Sequence, residues 1–180
     1  MSTKPILEPK DFSKINRTRR NRGYSFEHGI VTYLQKIGWH AKRLGGSSTN
    51  LPDILAVYKD TMYSMEAKYT MDKNHLYIPF DQVFRCLEVL TMFPLYPERF
   101  LVFAFRFGKG KTPIDHYFGF DIRETNMIKQ FSMFPEYLVR CDREGHLLIG
   151  FKNSWIPLTF SNRSQKLPLA LNDLGRWVKP

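Results

Sequence analysis

Apolar residues first recur at helical spacing at Phe26, Ile30, Tyr33, Leu34 and Ile37, the period of a helix with one buried face. Ser25 can cap the start of this helix and Gly38 can end it. Upstream, residues 1–22 are polar and basic, include Pro5 and Pro9, and carry no such stripe; they are expected to form a mostly disordered arm. Trp39 to Leu44 reads as a short strand, and Gly45 to Asn50 as a loop of small residues. Ile54–Tyr58 and Met62–Tyr69 are two further strands, with Lys59-Asp60 as the tight turn between them. Pro79 opens a second helix whose expected apolar stripe is Phe80, Val83, Phe84, Leu87 and Leu90. Phe100–Phe105 suits a buried strand, followed by a turn at Gly108–Lys111 and a strand from His116 to Phe120.

The order helix, three strands, helix, two strands predicts an α/β fold, a mixed β-sheet flanked by helices. Beyond it, Leu138–Cys141 and Leu147–Phe151 can form a hairpin across Arg143-Glu144-Gly145. The expected organisation is a basic arm over residues 1–22, a core over 23–120, and an extension over 121–180 packed on or beside the core.

Composition narrows the classes of function. The chain has 180 residues, 43% of them hydrophobic and 24% charged, an ordinary globular balance. No run of 18 apolar residues occurs, so no membrane-spanning helix is expected, and residues 1–22 lack the apolar stretch of a secretory signal. Two distant cysteines, Cys86 and Cys141, exclude a disulfide scaffold and suit a reducing cytoplasm. The five histidines form no HxxxH or HxH cluster, which argues against zinc held through histidine. Charge says more. Lys and Arg number 27 against 17 Asp and Glu, a net +10, which favours a polyanionic partner, most simply nucleic acid. Residues 1–22 hold seven of the cations and two of the acids. Arg19, Arg20 and Arg22 at the end of this arm are therefore candidates to meet phosphates.

The chemistry concentrates between Leu51 and Lys68. Glu66 and Lys68 stand two apart on a strand and share a face. A two-residue turn at Lys59-Asp60 places Asp53 directly across from Glu66. Opposed carboxylates destabilise a sheet, and a divalent cation between them removes that cost. Two hard oxygen ligands with room for water and a phosphate describe a Mg²⁺ site, and Lys68 beside them can orient water or steady charge developing at phosphorus.

Pro52-Asp53 followed by Glu66-Ala67-Lys68 resembles the PD-(D/E)xK pattern of the restriction-endonuclease-like nucleases. Asn21-Arg22 ahead of a helix that carries Glu27, the segment Arg43-Leu44-Gly45-Gly46-Ser47 ahead of the Asp53 strand, and His75-Leu76-Tyr77-Ile78 ahead of the second helix sharpen the likeness. This order is similar to that of the archaeal Holliday junction resolvases within that superfamily, over roughly residues 20–107. The resemblance implies a restriction-endonuclease-like fold and assigns roles by position. Asp53 and Glu66 match the main metal ligands, and Glu27 an N-terminal acidic ligand. Lys68 matches the catalytic lysine, and Ser47 a loop serine near the scissile phosphate. Arg43 and Arg22 match phosphate-contacting positions, and Gln82 stands where related nucleases place a glutamine near the site. The family works as a homodimer on four-way DNA junctions.

The expectation is therefore a Mg²⁺-dependent, structure-selective DNA endonuclease, with Mn²⁺ as a substitute, acting in the cytoplasm at the nucleoid. A restriction-like nuclease of duplex or branched DNA, or a DNA-binding module with little activity, are the alternatives.

Overall fold

A computed structural model describes residues 9–45, 50–108, 113–123, 137–151, 154–158 and 165–167, with backbone alone for 9–22, 151 and 165–167. The elements run α1 (Pro9–Lys36), β1 (His40–Arg43), β2 (Ile54–Tyr58), β3 (Thr61–Thr70), β4 (His75–Pro79), α2 (Phe80–Thr91), β5 (Glu98–Phe107), β6 (Ile114–Asp121), β7 (Leu138–Asp142), β8 (Leu147–Phe151), β9 (Ser154–Pro157) and β10 (Gln165–Leu167). One sheet has the order β1-β2-β3-β5-β6-β10, and a second has the order β4-β7-β8-β9. In the larger sheet β3 and β5 pair in parallel while its other pairings are antiparallel. Parallel neighbours require a crossover, and β4 with α2 supplies it. The mixed sheet flanked by helices is thus present.

The two faces of β3 show why helices cover both sides of this sheet. Its odd residues Tyr63, Met65 and Ala67 join Phe26, Ile30, Val31 and Leu34 of α1 in one apolar cluster. On the other face Met62 joins Val83, Cys86, Val89 and Leu90 of α2 in a second cluster. Strand β5 divides in the same way, with Phe100, Val102 and Ala104 toward α1 and Leu101, Phe103, Phe105 and Phe107 toward α2. An aromatic strand buried on both faces belongs to the core and offers no interface. Among the described residues, no helix is long and apolar enough to cross a membrane.

Several expectations change. The first helix begins at Pro9 rather than Ser25, so the segment expected as a disordered arm is helical from residue 9. Proline is accommodated at the first helical position, and from Lys10 to Arg22 no proline or glycine interrupts the run of helix-tolerant Lys, Arg and Asn. Glu27 consequently lies well inside a helix, and the macrodipole of a first turn does not account for it. On α2 the buried residues are Val83, Cys86, Val89 and Leu90, while Phe84 is 48% exposed. His75–Pro79, ahead of the second helix, is a strand. The hairpin read at residues 138–151 does form, with Cys141 opposite Leu147 and Leu138 opposite Gly150, but it pairs with β4 in a second sheet. The inner residues Leu76, Ile78, Val139, Cys141, Leu147 and Ile149 pack in the same cluster as α2. The turn expected at Gly108–Lys111 and the loop expected at Gly45–Asn50 fall largely outside the described residues.

Close approach sets one residue of the second sheet. A Cβ on Gly150 would lie 2.1 Å from the Ser154 carbonyl oxygen and 2.9 Å from the Trp155 ring. Gly150→Ala should therefore lower stability by about 1–3 kcal/mol, read from the urea midpoint. Unchanged stability would mean that β9 does not lie against β8 in this way.

Candidate active site

The turn at Lys59-Asp60 sets the site. Lys59 adopts φ 50°, and the resulting register pairs Tyr58 with Thr61 and Ile54 with Met65. Continued one step, this register would set Asp53 against Glu66. Asp53 precedes the regular strand but is tied on both sides. Its carbonyl accepts the Leu44 N–H at 3.0 Å, and its Oδ2 accepts the Ala67 N–H at 2.9 Å. Its position is therefore fixed by the backbones on both sides of it.

Ser64, Glu66 and Lys68 form a polar row on the α2-facing side of β3. Ser64 and Glu66 are fully buried, whereas the Lys68 side chain keeps 23% exposure. Lys68 Nζ donates to Glu66 Oε1 at 2.5 Å. Arg85, from α2, spreads one nitrogen across both Glu66 oxygens, at 3.1 and 3.0 Å. Burial pushes the Glu66 carboxyl up to about 7; the charge of Lys68 opposes this, the negative charge of Asp53 adds to it, and Arg85 opposes it again. Glu27 ion-pairs with Arg43. Burial raises its pKa, its hydrogen bond from Arg43 and the charge of Lys68 lower it, and Asp53 raises it. Arg43 also lies over the Tyr24 ring, 4.7 Å from its centre, and Tyr24 stacks on His28.

Glu27, Arg43, Asp53, Glu66 and Lys68 are thus brought within electrostatic reach of one another. Arg85 belongs with them, although no sequence motif singles it out. The expected stripe on α2 was rotated away from the true one, and a single arginine among apolar helix positions was the available signal. Gln82, one turn before Arg85, is half-buried, and among the described residues its buried Oε1 has no hydrogen-bond partner. Ser47 lies outside the described residues. Arg19, Arg20 and Arg22 lie on α1, where the backbone alone is described.

Three carboxylates against Arg43, Lys68 and Arg85 form a balanced set. The oxygen donors, and the penalty recorded at Glu66 and Glu27, suit a hard divalent cation, which could be held by Asp53 and Glu66 with Glu27 nearby. Here Glu27 is drawn to Arg43, and Glu66 to Lys68 and Arg85, so their oxygens are not gathered together. Among the described residues, a gathered group with ligand atoms within 4.8 Å of one another is Asp142, Glu144 and His146, at the β7–β8 turn. Hydrogen bonds from the His146 backbone and ring to Asp142 explain its compactness. Cys86 is fully buried, and burial with the nearby Glu66 charge pushes its thiol far above the usual range, so it is inert packing.

The Glu66 shift has a consequence for stability. Its pKa rises from 4.5 to about 7 on folding, so the folded state favours the protonated acid. The associated stability is complete below about pH 4.5 and is lost as pH rises through 7. Metal-free protein should therefore lose thermal stability between about pH 5 and 8 relative to Glu66→Gln, by one to a few kcal/mol. Parallel melts across this range test it, and identical slopes for the two proteins would contradict it.

Comparison with known proteins adds the lineage. The family described as archaeal Holliday junction resolvase (Hjc) matches residues 18–124. A solved structure of Archaeoglobus fulgidus Hjc, described as a Holliday junction resolvase from an archaeal hyperthermophile, is 24% identical, with 56% of this chain and 78% of that chain covered and a TM-score of 0.41. No curated protein matches the chain. The family match takes in more than half the sequence, including every residue of the Glu27–Arg85 cluster: the chain belongs to the archaeal Holliday junction resolvase (Hjc) family of DNA-acting nucleases.

Proposed function

We propose that this chain is a divalent-metal-dependent endonuclease that resolves four-way DNA junctions by paired, symmetric nicks. The observation that carries the reading is Asp53, just ahead of β2, bound through Oδ2 to the Ala67 N–H next to Glu66 on β3, with Lys68 on the Glu66 carboxylate. Asp53 and Glu66, with Glu27, would hold Mg²⁺ or Mn²⁺, which when bound would supply Lewis acidity for hydrolysis of a phosphodiester. Lys68 stands at the solvent end of the polar row, where its ammonium can orient water or meet charge developing on the phosphate. Arg85 holds the buried Glu66 carboxylate in one orientation. Arg43 positions the DNA backbone, Gln82 and Ser47 serve the scissile phosphate, and the arginines of α1 extend the phosphate contact.

A junction has two equivalent strands to cut, and each chain offers one such site. A two-fold dimer matches that symmetry. Phe84, Met92, Phe93 and Leu95 are exposed on and after α2, Leu95 by 93%, and this apolar surface supports a contact with a second copy. In this reading helix α1 and the core meet the junction arms, and the described strands β7 to β10 extend that core.

Cleavage of junction, flap, fork and linear duplex in parallel, with Mg²⁺ and with EDTA, tests the reading. Symmetric nicks on the junction are expected, from a particle of about twice 21.3 kDa by light scattering. Asp53→Asn and Glu66→Gln should abolish cutting and leave junction affinity within a few fold. Wild type mixed with excess Glu66→Gln should nick one strand of each junction. Equal cutting of linear duplex points to a restriction-like enzyme instead, and a strict monomer making single cuts overturns the resolvase reading.

The α1 arginines give a separate prediction. If Arg17, Arg19, Arg20 and Arg22 meet phosphates, each replaced by Gln should flatten the slope of log K against log salt by about 0.9 on duplex DNA. An unchanged slope for the fourfold variant would exclude them from the interface.

A further inference from the structure

Three of the four strands of the second sheet, β7, β8 and β9, lie beyond the family-matched segment at residues 18–124. The inner face of this sheet is buried with α2, on the side of the larger sheet that carries Glu66 and Lys68. Its outer face carries Tyr77, Arg140 and Trp155. Tyr77 pairs with Arg140 across β4 and β7, and Trp155 pairs with Gly150 across β8 and β9. The absent side chain at Gly150 lets Trp155 settle against β8. The Tyr77 and Trp155 rings lie 6.1 Å apart, and the Arg140 guanidinium lies over the Trp155 ring, 4.4 Å from its centre. Tyr77 is 40% exposed.

The arginine is the informative member. Arg43, Arg85, Arg106 and Arg123 each pair with a carboxylate. Among the described residues Arg140 makes no ion pair, and its Nε is buried without a partner. A cation that rests on a ring and is not neutralised, beside an exposed second ring, offers two complementary contacts. A flat base can stack on the aromatic and guanidinium surface, and its phosphate can meet the charge. Paired duplex presents phosphates but keeps its base faces stacked away, so it can use only half of such a surface.

We propose that the Tyr77–Arg140–Trp155 face is an accessory site for an unpaired nucleotide of the DNA substrate, such as one displaced at a branch point. The site is built on a second sheet that packs in one cluster with α2, and α2 supplies Arg85 to the candidate active site. A captured base would therefore place the branch in a fixed relation to the Glu66 site. This inference rests on the reading of the chain as a nuclease of branched DNA.

The test uses the full chain without metal. It is titrated with oligo(dT) and, separately, with a fully paired blunt-ended duplex, with anisotropy of the labelled DNA and tryptophan emission both read. Oligo(dT) should quench emission, and Trp155→Phe should keep binding while losing that quench. Tyr77→Ser combined with Arg140→Gln should weaken oligo(dT) binding on the order of 10-fold, with duplex affinity changed less than about 2-fold. Arg140→Lys, which keeps the charge but loses the planar group, should give a partial loss, and melting curves establish that each variant is folded. Equal losses on both DNAs would overturn the proposal in favour of simple phosphate contact. Unchanged oligo(dT) affinity would overturn it too, and would leave the face to a protein partner. Junction cleavage by the same wild-type preparation, once Mg²⁺ is added, separates the two levels: cutting with insensitive oligo(dT) binding sinks this site alone, whereas no cutting and no DNA binding sinks the nuclease reading beneath it.

Discussion

A carboxylate with no solvent exposure stands in the middle of the central sheet, and much of the local structure answers to it. Burying an ionised carboxylate costs several kcal/mol unless charge and hydrogen bonds compensate. Glu66 receives both, from Lys68 two residues along its own strand and from Arg85 on the helix that covers it. The compensation is incomplete, since burial still pushes its pKa up to about 7. A site left in that condition is poised to take another cation. Asp53 sharpens the demand: its charge raises the pKa of both Glu66 and Glu27, and two backbone hydrogen bonds hold it in place.

The ion pairs of the site also tie together elements far apart in sequence. Glu27 on α1 reaches Arg43 on β1, and Glu66 on β3 reaches Arg85 on α2, so each helix is joined to the sheet by one charged contact at the site as well as by its apolar face. The two faces differ otherwise. The α1 side is closed by a single apolar cluster. The α2 side is shared with the second sheet, whose strands lie mostly beyond the family-matched segment. The addition therefore contributes to the core that supports Arg85, and the same strands expose the Tyr77, Arg140 and Trp155 face.

Much of the site was legible in the amino-acid sequence because short-range geometry carries it. A two-residue turn at Lys59-Asp60 determines the register of β2 and β3, and that register, continued one step, would set Asp53 against Glu66. The two-residue period of a strand places Lys68 beside Glu66. The hairpin at residues 138–151 was legible for the same reason, since its turn lies within the chain segment it joins. What escaped the sequence depends on contacts between distant segments. The start of α1 at Pro9 was hidden because the segment has no apolar stripe to mark it. The orientation of α2 follows from how Val83, Cys86, Val89 and Leu90 meet β3, β5 and the second sheet, and only that packing brings Arg85 onto Glu66. The short run His75–Pro79 becomes a strand because β7, more than fifty residues later, supplies its hydrogen-bond partners. Local turns and periods thus determined which carboxylates and which lysine meet. Tertiary packing alone decided which arginine steadies them and which sheet lies beside them, because those partners are chosen by buried surfaces that no local pattern encodes.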